Sequence, residues 1–178
     1  MKSLVRTTCH FLLRLLGAKQ FINESFGIKV LMRQLIIQKL IRINSHVPWP
    51  VHYSSVVIAP EKIQKGSRFP GLAVGCYLDG RNGIIIGQNV WVGPRVSIIS
   101  MNHDVSNYNN YIETDTIKIG DNCWLGANCV ILPGVILGNH TIIAAGSIVT
   151  KSFEEGDIII GGNPAQKIKS ISHYYERL

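Results

Sequence analysis

The stretch IKIGDNCWLGANCVILPGVILGNHTIIAAGSIV, residues 117–149, repeats one pattern every six residues. A large aliphatic residue recurs six times in register, and a glycine or alanine follows four of these residues. The aliphatic positions are Ile119, Leu125, Ile131, Leu137, Ile143 and Val149. This period describes a short strand followed by a tight corner, and three such units close one triangular coil. The sequence therefore predicts a mainly β fold, a parallel β-helix of hexapeptide repeats.

The same six-residue period recurs upstream of this stretch, through Val74, Ile86, Val92 and Ile98. Each of these aliphatic residues is expected to point inward and to stack on its counterpart eighteen residues away along the chain. Cys123 and Cys129 occupy a second inward position, so we interpret them as small core residues rather than nucleophiles. His140 falls at a corner, where we expect an exposed and inert side chain.

One polar, aperiodic segment interrupts the repeats, and we assign it as a protruding loop over residues 103–117. Insertions in repeat proteins collect on a binding face, so function is expected at this loop. The chain then divides into a basic helical segment (1–50), a β-helix domain (51–170) that carries the loop, and a C-terminal tail (171–178).

The N-terminal segment carries the net charge of the whole chain. Residues 1–50 hold eight Lys and Arg against Glu24 alone, whereas the remaining residues are balanced. Residues 1–17 and Ile28–Ile43 predict two basic amphipathic helices. Such helices pack against the body or a neighbouring subunit, or they contact a membrane through residues 1–43, and both can hold at once.

Composition limits the compartment and the partners. The four cysteines form neither CxxC pairs nor metal spacing, which favours free thiols in a reducing cytoplasm, with a location at the inner face of the membrane as the alternative. No secretory signal or spanning helix is expected. No aromatic interleaving or nucleic-acid motif accompanies the basic residues, so no nucleic-acid partner is predicted.

Several motifs resemble those of the hexapeptide-repeat acyltransferases, in the branch of maltose, galactoside and nodulation-factor O-acetyltransferases. They are Ile86-Gly-Gln-Asn-Val-Trp-Val-Gly-Pro94, Asn102-His103-Asp104, Ile119-Gly-Asp-Asn-Cys-Trp-Leu-Gly126, Pro133-Gly134-Val135, Ala145-Gly-Ser-Ile-Val-Thr-Lys151 and Gly161-Gly-Asn-Pro-Ala165. The resemblance covers roughly residues 70–170. It implies a left-handed β-helix, acetyl-coenzyme A as co-substrate without a metal, and a homotrimer with active sites between subunits. The N-terminal 50 residues depart from the sugar acetyltransferases, and polysaccharide or lipid-linked-sugar O-acetyltransferases are the better analogy there.

The resemblance places His103 at the family's catalytic histidine. A hydroxyl is too weak an acid to ionise at neutral pH, so a base must take its proton during attack on the thioester. Neutral histidine suits that task. Asn102 and Asp104 are expected to orient the imidazole or bind the acceptor, unless they satisfy backbone groups where the loop departs.

Two further groups of candidate residues follow from the same resemblance. Asp79, Arg81 and Asn82 lie one coil before the histidine and are candidates for binding acceptor hydroxyls, with a plain corner as the alternative. The candidates for coenzyme A are Trp124, Ala127, Ala145, Thr150, Lys151 and Lys169. Trp124 covers the pantetheine arm or packs against the neighbouring subunit, and the lysines suit phosphates.

The leading prediction is an O-acetyltransferase that moves acetyl from acetyl-coenzyme A directly to a sugar or glycan hydroxyl. The alternatives are a streptogramin-type antibiotic or amino-sugar N-acetyltransferase, whose amine acceptor needs the base less, and a non-catalytic β-helix scaffold. A hydratase like the gamma-type carbonic anhydrases would need three convergent histidines around zinc, but only His103 and His140 fall within the repeats.

Overall fold

The computed structural model describes residues 7–8, 11, 14 and 27–175. Their strands are short and nearly all parallel. In chain order they are β1 (Val56–Ile58), β2 (Ile63–Gln64), β3 (Tyr77–Asp79), β4 (Ile84–Ile86), β5 (Trp91–Val92), β6 (Ser97–Ile99), β7 (Asn102–Asp104), β8 (Asn107–Ile112), β9 (Ile117–Ile119), β10 (Trp124–Leu125), β11 (Val130–Ile131), β12 (Ile136–Leu137), β13 (Thr141–Ile143), β14 (Ile148–Val149), β15 (Ile158–Gly162) and β16 (Ala165–Ser170).

Three sheets form the three walls of a prism around one core. The first wall contains β1, β3, β6, β11 and β14, the second contains β2, β4, β9 and β12, and the third contains β5, β10, β13, β15 and β16. Successive strands along the chain visit the walls in this order, so each circuit adds one coil. The predicted mainly β coil of hexapeptide repeats is confirmed.

The inward aliphatic residues stack as the repeat requires. Leu125 pairs with Ile143 and Ile131 with Val149, eighteen residues apart, and all four are buried. Backbones of adjacent coils approach closely at the glycine after each strand. A Cβ built at Gly126 would lie 2.5 Å from the carbonyl oxygen of Ile143, so only glycine fits there.

The three corners between the walls also stack into columns, which we name by their residues. The hairpin corner joins the first wall to the second at residues 80–83, 100–116, 132–135 and 150–152. The asparagine corner joins the second to the third at residues 87–90, 120–123, 138–140 and 154–157. The alanine corner joins the third to the first at residues 93–96, 126–129 and 144–147. Backbone hydrogen bonds such as Asn122 N to Gln88 O and Gly146 N to Ala127 O join successive coils at these corners.

Two sequence predictions for the upstream coils are wrong. Val74 is 44% exposed rather than inward, and Cys76 and Leu78 fill the core instead. The stacking interval there is also longer than eighteen, since Leu78 pairs with Ile98 and Ile63 with Ile84. Extra residues at the corners lengthen these coils, so a fixed period of six no longer identifies the residues that point inward.

The segment predicted as an aperiodic loop is an antiparallel β-hairpin. Strands β7 and β8 pair, with His103 opposite Tyr111, and every residue of β8 is exposed. The hairpin lengthens one coil, because Ile86 and Ile119 are paired neighbours although 33 residues separate them. Polar and apolar side chains are exposed on both of its faces, so the hydrophobic alternation of a half-buried strand is missing from the sequence.

The second predicted helix is present and ends early. Helix α1 (Ile28–Leu35) continues as a π-helical turn at Ile36–Leu40. The left-handed backbone at Arg42 and Asn44 then ends it before the predicted Ile43. The first predicted helix is helical at Thr7, Thr8, Phe11 and Arg14, and its other positions lie outside the described residues.

The described cysteines Cys76, Cys123 and Cys129 are buried and unpaired, which confirms the interpretation of Cys123 and Cys129 as core residues. Across the described ranges, no helix is long and apolar enough to span a membrane.

Candidate active site

His103 lies exposed on β7, where the hairpin leaves the hairpin corner. Its Nδ1 is 2.6 Å from the main-chain oxygen of Tyr108. Because a carbonyl oxygen only accepts, Nδ1 carries the proton of the neutral ring and donates it. Nε2 is then the unprotonated nitrogen with a lone pair. The hairpin itself selects the tautomer that a general base at Nε2 requires.

The neighbours of His103 differ in what they contact. Asp104 Oδ1 accepts a hydrogen bond from Ser106 N at 2.7 Å, which fixes the turn between β7 and β8. Asn102 is exposed and lies opposite Ile112 at the base of the hairpin. Asp104 therefore shapes the turn, and Asn102 stands beside the histidine with an exposed side chain.

A chain of contacts links the buried end of β3 to His103. Asp79 is 1% exposed and accepts several hydrogen bonds from Arg81, the shortest of them from Nη2 at 2.7 Å and from Nε at 3.0 Å. The Asp79 carboxylate raises the pKa of Arg81. The guanidinium lies 4.5 Å from the centre of the Tyr111 ring, and that ring lies 4.6 Å from the His103 ring. Arg81 thereby supports the imidazole through Tyr111.

Asn82 anchors the other end of the hairpin. Its Nδ2 donates to the main-chain oxygen of Ile112 at 3.1 Å and to Thr114 Oγ1 at 2.9 Å. Its main-chain N–H donates to Ser100 Oγ at 2.9 Å. The structure thus brings the predicted catalytic and acceptor-binding residues together at the hairpin corner. The polar contacts of Asp79 and Asn82 serve the hairpin, and acceptor binding by the trio stays a prediction.

Three of the residues predicted for the cofactor, Trp124, Ala127 and Ala145, lie away from the hairpin corner, whereas Thr150 and Lys151 belong to it. Ala127 and Ala145 lie on adjacent coils of the alanine corner, joined by the hydrogen bond from Gly146 N to Ala127 O at 2.8 Å. Trp124 stands just before them on the third wall and is 56% exposed. The small alanine side chains leave a shallow surface along this corner.

The remaining cofactor candidates lie on the last coils. Thr150 and Lys151 follow β14 and are exposed, and Lys151 Nζ donates to Gln166 Oε1 at 3.0 Å. Lys169 is exposed on β16, opposite Ile159. Both ammonium groups are available to an anionic ligand at this end of the prism.

The structure therefore does not bring all predicted residues together within one chain. His103 lies at the hairpin corner, whereas Trp124, Ala127 and Ala145 lie on the third wall and the alanine corner.

Sequence reasoning missed a cleft of about 330 Å³ on the third wall. It is lined by Trp91, Asn122, Trp124, His140, Ile142 and Tyr174. Trp91 pairs in register with Trp124, and the Arg68 guanidinium lies 3.4 Å from the centre of the Trp91 ring. The signal was available, because Asn-Val-Trp-Val-Gly at 89–93 and Asn-Cys-Trp-Leu-Gly at 122–126 are the same repeat.

The prediction that His140 is exposed is wrong. It is partly buried beside the cleft, and its Nδ1 contacts Asp157 Oδ1 at 2.9 Å. His173 Nδ1 contacts the other carboxylate oxygen at 2.6 Å, and Tyr174 packs on the His140 ring. Hydrogen bonding to His140 and then to His173 lowers the pKa of Asp157. The C-terminal tail is held over the asparagine corner by these contacts.

No group of three or more His, Cys, Asp or Glu side chains that could hold a metal ion occurs among residues 27–175 and the few described before them.

Comparison with known proteins relates the coil to acetyltransferases. Residues 116–151 match the family described as "Bacterial transferase hexapeptide (six repeats)". Galactoside O-acetyltransferase of Escherichia coli K12 is 36% identical over 99 residues, which are 52% of this chain and 48% of that protein. The putative colanic acid biosynthesis acetyltransferase WcaF of the same strain is 27% identical over 159 residues, 89% of this chain and 72% of that protein.

A solved structure of galactoside acetyltransferase in complex with coenzyme A superposes with a TM-score of 0.55 at 28% identity, covering 70% of this chain and 68% of that chain. The chain spans about half the length of the E. coli galactoside O-acetyltransferase. Residues 116–151 thus carry hexapeptide repeats, and the coil that contains them is similar to those of the sugar O-acetyltransferases.

Proposed function

We propose that the protein transfers acetyl from acetyl-coenzyme A to a hydroxyl of a sugar or glycan, with His103 as general base. The observation that carries this proposal is the hydrogen bond from His103 Nδ1 to the Tyr108 carbonyl. It leaves Nε2 as the basic nitrogen on an exposed hairpin, which is what abstraction of a hydroxyl proton requires.

The proposed step is a direct transfer. Nε2 of His103 takes the acceptor proton as the acceptor oxygen attacks the thioester carbonyl. The carbon–sulfur bond then breaks, and the imidazolium returns the proton to the departing thiolate of coenzyme A. The buried thiols of Cys123 and Cys129 take no part, so no acyl-enzyme forms. Arg81 and Tyr111 hold the imidazole in place, and Asn102 is placed to contact the acceptor.

Coenzyme A is proposed to lie along the prism, from Trp124 and the alanine corner towards the last coils. The shallow surface over Ala127 and Ala145 suits the pantetheine arm, and Trp124 covers it. Thr150, Lys151 and Lys169 suit the nucleotide, because ammonium groups form charge-assisted hydrogen bonds with phosphates. The similar galactoside acetyltransferase was solved in complex with coenzyme A, which supports coenzyme A as the co-substrate.

A homotrimer with active sites between subunits is the proposed assembly. Its support is the separation of His103 from Trp124, Ala127 and Ala145 on one chain. In an assembly, the hairpin of one copy would project towards the third wall of the next. Such heterologous contacts close into a ring when the rotation permits it.

A glycan acceptor is favoured by two observations. The relative WcaF, which matches most of the chain, is described as a putative colanic acid biosynthesis acetyltransferase. The cleft beside Trp124 adds the flat face of Trp91, and Asn122 and the Tyr174 hydroxyl border it. Aromatic faces pack against the apolar face of a sugar ring, and neighbouring amides and hydroxyls bind its hydroxyls. A cytoplasmic location agrees with the unpaired thiols.

The test is release of coenzyme A from acetyl-coenzyme A by the full chain with a panel of acceptors. The panel contains neutral sugars, glycan fragments, amino sugars and a streptogramin antibiotic. Release that requires a neutral sugar or glycan, with the acetyl group recovered as an alkali-labile ester, is expected. Release only with amino sugars, or only with the antibiotic, would replace the proposal with an N-acetyltransferase or an antibiotic acetyltransferase. Coenzyme A binding without release on any acceptor would favour a non-catalytic scaffold.

A further inference from the structure

We propose that the exposed face of helix α1 and the turn after it docks on an anionic lipid bilayer. This face, the basic apolar cap, comprises two sets of exposed side chains between residues 29 and 43. The basic set is Lys29, Arg33, Lys39 and Arg42, and the aliphatic set is Val30, Ile36, Leu40, Ile41 and Ile43.

The orientation of the helix is fixed by its opposite face. Leu31, Gln34, Leu35 and Gln38 are buried, at the spacing that lines one side of a helix. The Gln38 amide holds the chain that follows: Nε2 donates to the Trp49 oxygen at 3.1 Å, and Oε1 accepts from Val51 N at 3.0 Å. Rotation of the helix would break these buried bonds, so the cap must face outward.

The aliphatic side chains of the cap are largely exposed, so they are not buried against the rest of the chain. Leu40 is 78% exposed and Ile41 is 59% exposed, and they are consecutive at the end of the π-helical turn. Contiguous exposed aliphatic residues next to charges mark an interaction surface rather than a solvated face. Leu40 and Ile41 are the tip that would enter the bilayer interface.

The charge of the cap identifies the partner. No acidic residue occurs between Glu24 and Glu61, a span that holds all four basic residues of the cap. None of these four forms an ion pair within the part of the chain that the structure describes. Each basic residue near an anionic bilayer contributes about 1 kcal/mol of attraction, and aliphatic insertion adds to it.

Other partners fit less well. A contact between the caps of two copies would bring two faces of like charge together, which opposes self-association of cap on cap. Nucleic acid is bound by cationic surfaces with aromatic stacking or hydrogen-bonding side chains, whereas the cap presents aliphatic side chains beside its charges. An anionic bilayer is the partner that attracts the basic side chains of the cap and also buries its aliphatic side chains.

The test is sedimentation of the full chain with vesicles of phosphatidylcholine, alone or with one third phosphatidylglycerol. Two variants remove each half of the cap: Lys39→Gln/Arg42→Gln and Leu40→Ser/Ile41→Ser. The matched controls are Lys118→Gln/Lys167→Gln and Ile168→Ser, which change exposed side chains elsewhere on the coil. Thermal unfolding checks that every variant is folded. The assay contains no acetyl-coenzyme A or acceptor, so its outcome is separate from the proposed activity.

We expect tighter binding to the anionic vesicles, weakening as salt is raised. The double charge variant should lower affinity by about thirtyfold, the equivalent of about 2 kcal/mol for two basic residues. The aliphatic variant should weaken binding to both vesicle types, and the controls should bind like wild type. Equal sedimentation with both vesicle types, or cap variants that bind like the controls, would overturn the proposal. So would cap variants that change only self-association or RNA binding, measured by analytical ultracentrifugation and filter binding.

Discussion

At the scale of single residues, the position of the His103 ring depends on the guanidinium of Arg81, which contacts it through Tyr111. Arg81 is held by the buried carboxylate of Asp79 and supports the Tyr111 ring against which His103 packs. Lysine keeps the charge but has neither the planar face nor the two-pronged geometry. The contact chain from β3 to the base therefore depends on arginine.

Arg81→Lys should lower kcat about tenfold or more and leave KM for acetyl-coenzyme A unchanged, because a misplaced base slows the chemical step. Steady-state kinetics measures the two constants. Arg95→Lys is the matched control, since Arg95 Nε likewise donates to a side-chain oxygen at a corner, which is the amide oxygen of Asn128 instead of a carboxylate. A change in KM for acetyl-coenzyme A with constant kcat would contradict the positioning role.

The core cysteines give a second prediction at this scale. Burial raises the pKa of Cys123 to about 11 and that of Cys129 to about 12, from an ordinary 9.0. The thiolate is the reactive form, so both should resist iodoacetamide at pH 8 in the folded protein and react in denaturant. Mass spectrometry of the peptides that contain Cys123 and Cys129 measures the extent of alkylation. Labelling in the folded state at the rate of a free thiol would contradict it.

The same two pKa values set a pH dependence of stability. Each thiol has a higher pKa in the folded protein than in the unfolded chain. The stability that the two protonated thiols contribute to the fold is therefore complete below pH 9 and is lost as pH rises towards about 12. Denaturant unfolding at pH 8 and pH 10 should show a smaller loss in a Cys123→Ala/Cys129→Ala variant than in wild type.

At the scale of elements, the six-residue repeat was predictable because each coil imposes it physically. Inward aliphatic residues alternate with corners, and at Gly120, Gly126 and Gly138 these corners leave no room for a Cβ. Residues 117–149 follow this pattern without insertion. The register of the upstream coils and the hairpin strands could not be predicted from the repeat, because inserted residues shift its phase. The hairpin also buries no face, so it has no hydrophobic alternation to read.

Gly126→Ala should destabilise the coil by about 1–3 kcal/mol, the cost of overpacking a rigid core. The added Cβ would meet main-chain atoms of Ile143, Ala144 and Ala145, none of which can rotate away. Denaturant unfolding measures the loss. Gly27→Ala is the control, because its Cβ would meet nothing within 4 Å. Equal stability of the two variants would show that the coils are not in tight contact.

The paired tryptophans give the second prediction at this scale. Trp91→Ala should raise KM for the acceptor severalfold and leave KM for acetyl-coenzyme A unchanged, because Trp91 extends the cleft beyond Trp124. Trp91→Phe keeps an aromatic face and should retain most of the wild-type affinity. A matching rise in both KM values would place Trp91 with the cofactor instead.

At the scale of the whole molecule, sequence motifs identified both halves of the candidate site but not their separation. His103 and the hairpin project from one corner, and Trp124, Ala127 and Ala145 lie elsewhere on the prism. A linear sequence carries no signal for which corner a residue occupies once coil lengths vary. The repeat shared by residues 89–93 and 122–126 did carry a signal for the cleft, but its two tryptophans lie 33 residues apart in the sequence and pair only in the fold.

The central claim is that His103 of one copy acts as base on an acceptor beside the cofactor surface of another. The measurement is the initial rate of acetyl-coenzyme A turnover with the identified acceptor. It is made for wild type, for His103→Ala, for Ala145→Trp, which fills the alanine corner, and for the two variants refolded together.

The account predicts that His103→Ala lowers the rate by about 10²-fold or more while still binding acetyl-coenzyme A. It also predicts that mixed assemblies regain activity that neither variant has alone, because some sites then combine an intact base with an intact cofactor surface. A His103→Ala protein that turns over at the wild-type rate would contradict the account.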